Sequence, residues 1–402
     1  MDIVSAIRQF NQGREPERLQ LKYRKMRSDP FSFLRGSCHL FYEQLPRSGV
    51  FKNAPPVWSC GDLHLENFGS YKGDNRLAYF DVNDFDEGIL APASWDVVRM
   101  LTSLRVGAHS IGLKQQDAQA LCDAFLAGYG GALAQGKAYW VEHRTAHGLI
   151  RHLLDSLQDR QRKDWLDART EFKGGNKSRV RRLKVDGQKA LPVSDAQRNS
   201  VMNFMAGFAK QQDKPGFFKV LDVARRVAGT GSLGVNRYVV LVQGKGAPDG
   251  HYLLDLKAAQ ASSLAGRVKL KQPRWASEAH RIVEVQRRVQ AVSMAFLQAV
   301  EMDGRPYVLR GLQPVEDRVS LNGARQPRAE IAHVIHGMGK LVAWGQLRSG
   351  GRQGSATADE LIDFAQGKKW QPKLLEAADT CARQTLADAA TFAQAFDDGA
   401  FR

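Results

Sequence analysis

Hydrophobic and polar positions follow a helical period along most of this chain. Residues 95–112 and 115–137 have the apolar spacing of amphipathic helices, and a further helical stretch is predicted around residues 140–168. The same period returns at residues 277–300 and again after residue 312, where it continues towards the end. We therefore predict a largely helical protein that is interrupted by one region with a different pattern.

That region begins near Val223. β-Branched and aromatic runs alternate there with Gly and Asp turns, which predicts three consecutive strands, and a further strand is predicted at residues 305–312. Residues 216–312 are thus predicted to form a small β-rich unit, with mainly helical segments at 1–215 and 313–402 on either side. The predicted fold class is α+β, with two unequal lobes.

Composition narrows the class of protein. The chain has 402 residues, of which 43% are hydrophobic, and this suits an ordinary globular protein. Its four cysteines are far apart and form no C-x-x-C pair, which favours free thiols in a reducing compartment. The first residues contain no apolar core of a signal peptide, and no run is long enough to span a membrane. We expect a cytoplasmic protein with no membrane partner.

The formal net charge is +16, and much of the basic excess lies in residues 169–189. A solvated loop or hairpin would explain such a charge run. The alternative is a surface for an anionic partner, including nucleic acid, and it predicts salt-dependent binding that is lost on charge reversal at Arg181 and Arg182. The basic side chains of this segment are Arg169, Lys173, Lys177, Arg179, Arg181, Arg182, Lys184 and Lys189.

A glycine-rich turn lies within the β-rich region. Gly229, Gly231 and Gly234 match G-x-G-x-x-G, with Ser232 between them. A dinucleotide-binding turn must open a helix, but here the run "VNRYVVLV" predicts a strand. A glycine turn between two antiparallel strands is the form that kinases place over ATP phosphates, because missing Cβ atoms let the backbone approach them.

The next strand contributes a lysine. "HYLLDLKAA" places Lys257 on the third strand, where a kinase has the lysine that contacts the α- and β-phosphates. The following helix offers Glu284 as an ion-pair partner for Lys257, with Glu278 as a competitor. A solvated lysine at the end of a strand is the alternative interpretation.

Two short acidic segments, called the acidic bursts, precede these elements in the chain. They are residues 61–67 ("GDLHLEN") and residues 79–88 ("YFDVNDFDEG"). In "GDLHLEN", Asp62 and Asn67 have the five-residue spacing of a kinase catalytic loop, where the aspartate accepts a hydroxyl proton and the asparagine binds magnesium. A second magnesium ligand is predicted further on. Asp81 fits it by counting from Asn67, whereas Asp84 fits it by its local sequence, and both stay open.

A metal cluster is a rival interpretation of the first burst. Asp62, His64 and Glu66 alternate with apolar residues, so a half-buried strand would place all three on one face. Asp96, at the start of the helix predicted at residues 95–112, is interpreted as a structural residue that caps this helix or supports the catalytic loop.

These motifs together resemble a known family. They are "PFSFLRG", "GDLHLENFGSY", "FDVNDFDEG", "WDVVRM", "VAGTGSLGVNRYVVLV", "LDLKAAQAS", "VEVQRRVQ" and "YVLRGL". They look like the bacterial domain-of-unknown-function family 2252, which is similar to the protein-kinase-like and aminoglycoside-phosphotransferase superfamily. The resemblance implies a kinase-like two-lobe fold and supplies no substrate.

The resemblance also implies roles for individual residues. It implies Asp62 as catalytic base, with Asn67 and either Asp81 or Asp84 as magnesium ligands. It further implies that the glycines of the turn lie over the phosphates and that Lys257 contacts them. One departure from the kinase pattern is Cys60, which stands two residues before Asp62 where a histidine is usual.

The larger departure is the order of the motifs. The catalytic loop precedes the glycine turn by about 170 residues, the reverse of an ordinary kinase. A circular permutation would reconcile the two orders, with "YVLRGLQP" as fifth strand and adenine-binding hinge and "GMGKLVAWGQLRSG" as the helix that leads towards the catalytic loop. This hypothesis requires Asp62 to lie close to Gly231 and Lys257.

The leading expectation is an ATP- and magnesium-dependent phosphotransferase. Its acceptor is a hydroxyl-bearing small molecule or protein that the sequence does not identify. The alternatives are a nucleotidyl transferase, a nucleotide-binding pseudokinase that acts as a regulator or scaffold, and a nucleic-acid-binding protein that uses residues 169–189.

Overall fold

The computed structural model describes residues 2–46, 49–174, 180–313, 317–367 and 369–401. Short helices precede the first sheets, and two longer helices follow them. In chain order the elements up to residue 135 are α1 (Ile3–Phe10), α2 (Pro16–Ser28), α3 (Pro30–Gly36), α4 (Cys38–Gln44), α5 (Val50–Asn53), β1 (Pro56–Ser59), β2 (Phe68–Lys72), β3 (Ala78–Val82), β4 (Ile89–Pro92), α6 (Ser94–Gly107) and α7 (Gln115–Gln135).

The second part of the chain contains the main sheet and the last helices. These elements are β5 (Val141–Glu142), α8 (Gly148–Gln158), α9 (Arg162–Asp167), β6 (Thr170–Lys173), β7 (Val180–Leu183), β8 (Ala190–Leu191), α10 (Asp195–Lys210), β9 (Val220–Arg226), β10 (Arg237–Val242), β11 (Tyr252–Ala258), α11 (Glu278–Val289), β12 (Gln298–Met302), β13 (Arg305–Gly311), α12 (Arg328–Arg348), α13 (Ala358–Gln366) and α14 (Trp370–Asp397).

The helical core is built around α6, whose residues are all buried. A helix that is buried on every side must have neighbours all round it, and α7, α14 and α3 pack against it. Helices α7 and α12 approach each other closely through glycines. A Cβ atom at Gly128 would overlap with the carbonyl oxygen of His336, and one at Gly339 would overlap with that of Phe125.

The main sheet has six antiparallel strands in the order β12-β13-β11-β10-β9-β8. Successive side chains of β10 point to opposite faces of the sheet, and because apolar residues occupy both sets of positions, both faces are apolar. Tyr238 and Val240 pack with Met205 of α10, whereas Val239 packs with Leu166 of α9 and with the β6–β7 hairpin. Both faces are therefore covered by elements that precede β9 in the chain.

The predicted α+β class is confirmed, and so are the strands at β9, β10, β11 and β13. The helix predicted at residues 277–300 is too long, because α11 ends at Val289 and residues 298–302 form β12. The side chain of Gln290, the residue after α11, donates to the carbonyl oxygen of Val82, and β12 pairs with β13. The contact of Gln290 is long-range, whereas β12 and β13 form a hairpin whose two turn residues, Asp303 and Gly304, have positive φ of 53° and 68°.

Candidate functional site

A cavity of about 300 Å³ lies where the two acidic bursts meet the glycine turn. Its lining includes six of the residues predicted from the sequence: Asp62, Asn67, Asp84, Gly229, Gly231 and Ser232. The connection between α1 and α2 contributes Arg14, α3 contributes Arg35, and the segment after β13 contributes Arg318. Residues that are far apart in the chain therefore form one site, and the N-terminal region is part of its wall.

The loop from Cys60 to Asn67 is held on one face of α6. Asp96 accepts hydrogen bonds from the backbone N–H groups of Cys60 (2.9 Å) and Gly61 (3.0 Å), and Ser103 Oγ accepts one from Leu65 N–H (2.8 Å). Positions three and four apart share a helix face, so Asp96, Arg99 and Ser103 all face this loop. The prediction that Asp96 supports the loop is confirmed.

Arg99 fixes one oxygen of Asp62. Its Nε and Nη2 lie 3.1 and 2.6 Å from Asp62 Oδ1, and Nη2 also donates to the carbonyl oxygen of Leu34 (2.7 Å). The Arg99 side chain is fully buried. Burial opposes its charge, but the Asp62 carboxylate outweighs this effect and raises the pKa of Arg99. Arg99 thus holds Asp62 in a fixed orientation.

The other oxygen of Asp62 faces the glycine turn. A Cβ atom at Gly231 would lie 4.0 Å from Asp62 Oδ2 and 3.0 Å from the carbonyl oxygen of Arg35. A side chain at this position would therefore crowd both the N-terminal wall and the space in front of Asp62. The structure brings Asp62 and Gly231 together, as the permuted order requires.

Asn67 lies at the end of a short 3₁₀ turn, Leu65–Asn67. Its side-chain amide nitrogen donates to the carbonyl oxygens of Asp62 (3.1 Å) and Asp84 (3.5 Å). The side-chain nitrogen therefore donates to the backbone of both acidic bursts, and Oδ1 is the side-chain atom of Asn67 that can accept a further partner.

The rival metal cluster does not form. Residues 65–67 form a 3₁₀ turn rather than a strand, and the described residues contain no group of three His, Cys, Asp or Glu side chains placed to hold a metal ion. Burial lowers the pKa of His64 well below its usual value, and its Nδ1 accepts a hydrogen bond from Glu66 N–H (3.1 Å). Glu66 itself pairs with Arg35 (2.6 Å) and Arg318 (2.7 Å).

Asp81 and Asp84 occupy different environments. Asp81 lies within β3 opposite Gly69, is buried, and is absent from the lining of the cavity. Asp84 lies beyond the end of β3, and about half (52%) of its side chain is exposed towards the cavity. Its enclosure by protein would raise its pKa, but Lys257 and Arg310 outweigh this effect and hold the pKa of Asp84 below its usual value.

The glycine turn connects β9 with β10, which are antiparallel, as predicted. Gly229 and Gly234 have left-handed backbones, with φ of 73° and 87°, a conformation that favours glycine. The carbonyl oxygen of Gly231 accepts hydrogen bonds from Arg14 Nη1 (2.6 Å) and Lys22 Nζ (3.0 Å). Ser232 Oγ donates to the carbonyl oxygen of Ala228 (3.4 Å). The N-terminal helices therefore hold this turn from outside.

Lys257 lies on β11, the third strand of the series β9, β10, β11, as predicted. Its Nζ donates to Asp86 Oδ2 and lies 3.9 Å from Asp84 Oδ1. The side chain is almost fully buried, with 5% exposure, and the next residue, Ala258, lines the cavity. Lys257 thus joins the main sheet to the second acidic burst.

The predicted pair between Lys257 and Glu284 is absent. Glu284 lies 3.3 Å from Arg287 on the exposed side of α11, whereas Lys257 pairs with Asp86. The reason is the orientation of α11, whose buried face presents Arg281 instead. Arg281 donates to the carbonyl oxygens of Gly88, Asp86 (2.8 Å) and Gln260 (2.9 Å) and pairs with Glu278 (2.6 Å). The helix therefore holds the acidic burst through an arginine.

A buried charge cluster lies behind Lys257. Asp255, two positions earlier on the same face of β11, accepts from Arg237 at 2.8 and 2.6 Å. Arg226 and Arg310 approach it to 2.8 and 3.4 Å. Burial alone would raise the pKa of Asp255, but Arg226 and Arg237 hold it well below its usual range. Three guanidinium groups around one carboxylate leave an excess of positive charge next to the cavity.

The basic segment is largely paired with its own neighbours. Arg181 is fully buried between Asp167 (2.6 Å) and Asp249 (2.5 Å), and Arg182 donates to the carbonyl oxygen of Leu221. Lys177 and Arg179 lie outside the described residues. Charge reversal at Arg181 would therefore disturb packing as well as any anionic partner, so it is a poor test of nucleic-acid binding.

Several site residues escaped the sequence analysis. Arg14, Arg35 and Arg318 bring three cations to the lining, and Glu87 accepts from Ser263 N–H (2.6 Å) and Oγ (2.9 Å). Burial raises the pKa of Glu87. Arg99, in contrast, could have been predicted from the sequence. It follows Asp96 by three positions and therefore shares its helix face. Since Asp96 was predicted to support the loop, Arg99 would face the loop as well.

These observations define a mixed α+β protein in which an acidic loop and a glycine turn line one cavity and a strand lysine lies beside it. The chain belongs to the family described as "Uncharacterized protein conserved in bacteria (DUF2252)", whose model matches residues 14–395. No curated protein and no solved structure gave a significant match. Among the described helices, none is both long and apolar enough to cross a membrane.

Proposed function

We propose that this protein is an ATP- and magnesium-dependent phosphotransferase with a kinase-like, circularly permuted site. The observation that carries the proposal is the meeting of Asp62, Asn67 and Asp84 with a glycine turn in one cavity, with Lys257 at its edge. Polar loops without a shared function have no reason to converge in this way from segments about 170 residues apart in the chain.

Each group has a chemical role in the proposal. Asp62, fixed through Oδ1 by Arg99, presents Oδ2 to accept the proton of the attacking hydroxyl. Backbone amides of the glycine turn and Lys257 contact the phosphates, because missing side chains allow close approach. Arg14, Arg35 and Arg318 add positive charge to the lining. Catalysis rests on positioning and on neutralising charge.

The residues present fit a magnesium ion. Magnesium favours hard oxygen ligands and usually takes one or two carboxylates together with water and substrate phosphates. Asp84 and the Oδ1 atom of Asn67 supply two such oxygens on the cavity wall. When bound there, the ion would neutralise phosphate charge as the phosphoryl group moves between oxygens. Asp81 is assigned no part in binding it, because it does not line the cavity.

The main sheet supports the kinase-like assignment. Five of its strands, β9 to β13, run in the order β9-β10-β11-β13-β12, with the glycine turn between the first two and α11 between β11 and β12. Lys257 on the third strand matches the kinase arrangement. The proposed hinge after β13 has one amide already engaged, since Leu312 N–H donates to the carbonyl oxygen of Leu253 (2.9 Å). Gly311, Leu312 and Gln313 line a different cavity from the one that holds the glycine turn, so the adenine base is assigned no contact with this segment.

Thermal unfolding with ATP, with magnesium and with both tests the proposal. A ligand at about a hundred times its dissociation constant stabilises a fold by roughly 2.7 kcal/mol. We expect a magnesium-dependent shift in the wild type and in the control K210A, whose lysine is exposed at the end of α10. We expect K257A to lose it. No shift with any nucleotide in the wild type would contradict the proposal.

Labelled ATP separates the possible activities once binding is shown. Transfer from γ-labelled ATP supports phosphoryl transfer, whereas transfer from α-labelled ATP alone indicates a nucleotidyl transferase. Binding without any transfer over a broad acceptor screen indicates a pseudokinase. D62N is the appropriate inactive control, because an amide keeps a polar partner for the buried Arg99.

A further inference from the structure

A second and larger cavity lies at the other end of the main sheet. Its volume is about 1400 Å³, and its lining includes Tyr252 at the start of β11 and Gly311 at the end of β13. Lys257 and the glycine turn lie at the opposite ends of these strands, because Arg237 at the start of β10 pairs with Lys257. The two cavities have no lining residue in common.

Aromatic side chains line this cavity. Trp165, Tyr252 and Phe296 are half-buried, and Trp140 and Leu77 are exposed by 48% and 53%. A soluble surface that exposes large apolar side chains next to a cavity commonly marks a binding site. The lining is therefore suited to a ligand with a planar, apolar body.

Cations surround the apolar lining. Lys72, Arg76 and Arg144 line the cavity with exposed side chains, and none makes a side-chain hydrogen bond or ion pair with the residues the structure describes. The lining acids are Glu142 and Asp317, and Asp317 already pairs with Arg160 at 2.7 Å. The described lining thus offers unpaired positive charge to an anionic group.

The backbone provides independent support. Arg76 and Phe296 both line the cavity and both have left-handed backbones, with φ of 70° and 62°. Residues with a Cβ atom adopt this conformation only at a cost in free energy. Such strain is concentrated at binding and catalytic sites, where it fixes a side chain in a required direction.

We propose that this cavity is a second binding site, separate from the nucleotide, for a ligand that joins an anionic group to a planar apolar body. The anionic group would lie among Lys72, Arg76 and Arg144, and the planar body would pack against Trp165, Tyr252 and Phe296. The proposal does not depend on the phosphotransferase assignment, because it uses none of the residues of the first cavity.

Fluorescence titration with 8-anilino-1-naphthalenesulfonate, an anionic planar probe, tests the proposal on the full chain. We expect saturable binding of one probe molecule to the wild type, and about tenfold weaker binding to the double variant K72E/R144E at low salt. The matched control is R24E/K210E, which makes the same charge change on α2 and α10, away from the cavity. Thermal unfolding without probe establishes that each variant is folded.

Two further measurements complete the test: binding of an uncharged probe and competition by ATP. The uncharged analogue N-phenyl-1-naphthylamine should bind K72E/R144E and wild type alike, because it lacks the anionic group. ATP with magnesium should leave probe binding unchanged. Equal probe binding by K72E/R144E and the control would overturn the proposal. Competition by ATP would also overturn it, because the cavity would then belong to the nucleotide.

Discussion

At the scale of single residues, Asp81 and Asp84 illustrate how position decides chemistry. They are three residues apart and both are carboxylates, yet one lies inside a strand and the other beyond its end. Asp84 lines the cavity next to Lys257, where cations hold its pKa low. Asp81 is buried and accepts a hydrogen bond from Val82 N–H (2.8 Å), and burial raises its pKa to about 6.

Asp81 should make stability depend on pH. An aspartate in the unfolded chain has a pKa of about 3.9, so the folded protein holds this proton more tightly. The stability gained from the neutral carboxyl is complete below about pH 4 and is lost as pH rises through about 6. D81N cannot ionise. Its free energy of unfolding should exceed that of the wild type by on the order of 2 kcal/mol at pH 8 and equal it near pH 4.

Urea unfolding at pH 4, 6 and 8 measures this difference. The control is D164N, at an exposed position on α9. The difference between its free energy of unfolding and that of the wild type should be the same at pH 4 and at pH 8. A D81N protein that is less stable than the wild type at pH 8 would contradict a neutral, buried Asp81. It would instead indicate that the Asp81 carboxylate is charged and stabilised by a cation, for which Arg348, whose charge lowers the pKa of Asp81, is the candidate.

At the scale of elements, the contact between α7 and α12 depends on glycine. Gly128 leaves space for the backbone of His336, and Gly339 does the same for Phe125. The helices can approach this closely only because both positions lack a Cβ atom. This contact positions α12, which follows the segment that lines both cavities.

We expect G128A to destabilise the protein by about 2–4 kcal/mol, because its Cβ atom would collide with the His336 backbone and the helices would have to separate. The control lies on the same helix. A Cβ atom at Gly131 would meet no atom within 4 Å, so G131A should stabilise the helix by about 0.5–1 kcal/mol. Urea unfolding measures both, and equal effects of the two variants would contradict the role of close approach.

Local signals made some elements predictable. The glycine turn was recognisable because a β-type run follows it directly, and α7 ends at Gly136, whose left-handed φ of 64° suits glycine. The strand at residues 298–302 had a local signal that was missed, because β12 and β13 form a hairpin across Asp303 and Gly304, and Asp-Gly is typical of a two-residue hairpin turn. The helical period of the sequence also gives no sign that the side chain of Gln290 donates a hydrogen bond to the carbonyl oxygen of Val82.

In the candidate site, too, features of short stretches were predictable, whereas contacts set by packing were not. The spacing of Asp62 and Asn67 and the position of Lys257 on its strand are properties of short stretches, and the structure places all three at or beside one cavity. The partners of these residues could not be predicted in this way, because they depend on how the elements pack. Asp86 rather than Glu284 pairs with Lys257, because the direction of the α11 side chains depends on how the helix packs. Arg318 reaches the cavity from a distant segment that carries no motif, and Arg35 comes from "PFSFLRG", a motif to which the sequence assigned no site residue.

At the scale of the whole molecule, the regions near the two ends of the chain lie together. Ile3 and Ile7 of α1 share an apolar cluster with Phe392 and Phe401, and Arg8 donates to the carbonyl oxygen of Ala400. Joining these ends would therefore disturb little. Neighbouring ends are the condition under which circular permutation is tolerated, and the same geometry supports the proposed relation to an ordinary kinase order.

A circular permutant tests this relation directly. Joining the present ends with a short linker and opening the chain at Asp213, an exposed position between α10 and β9, gives the order glycine turn, Lys257, α11, α12, Asp62, Asp84. We expect this permutant to fold and to gain the same magnesium-dependent stabilisation by ATP as the wild type, because every contact of the site is kept. Loop closure changes stability only slightly, by about 0.6 kcal/mol per doubling of loop length.

A second permutant, opened between Gly231 and Ser232, is the control, since it keeps the joined ends but cuts the turn that faces Asp62. It should fold and show no stabilisation by ATP. If instead the Asp213 permutant folds but ATP no longer stabilises it, while the wild type still responds, the native order of segments is itself required. The site would then depend on the connection between α10 and β9, and not only on the residues that meet in the cavity.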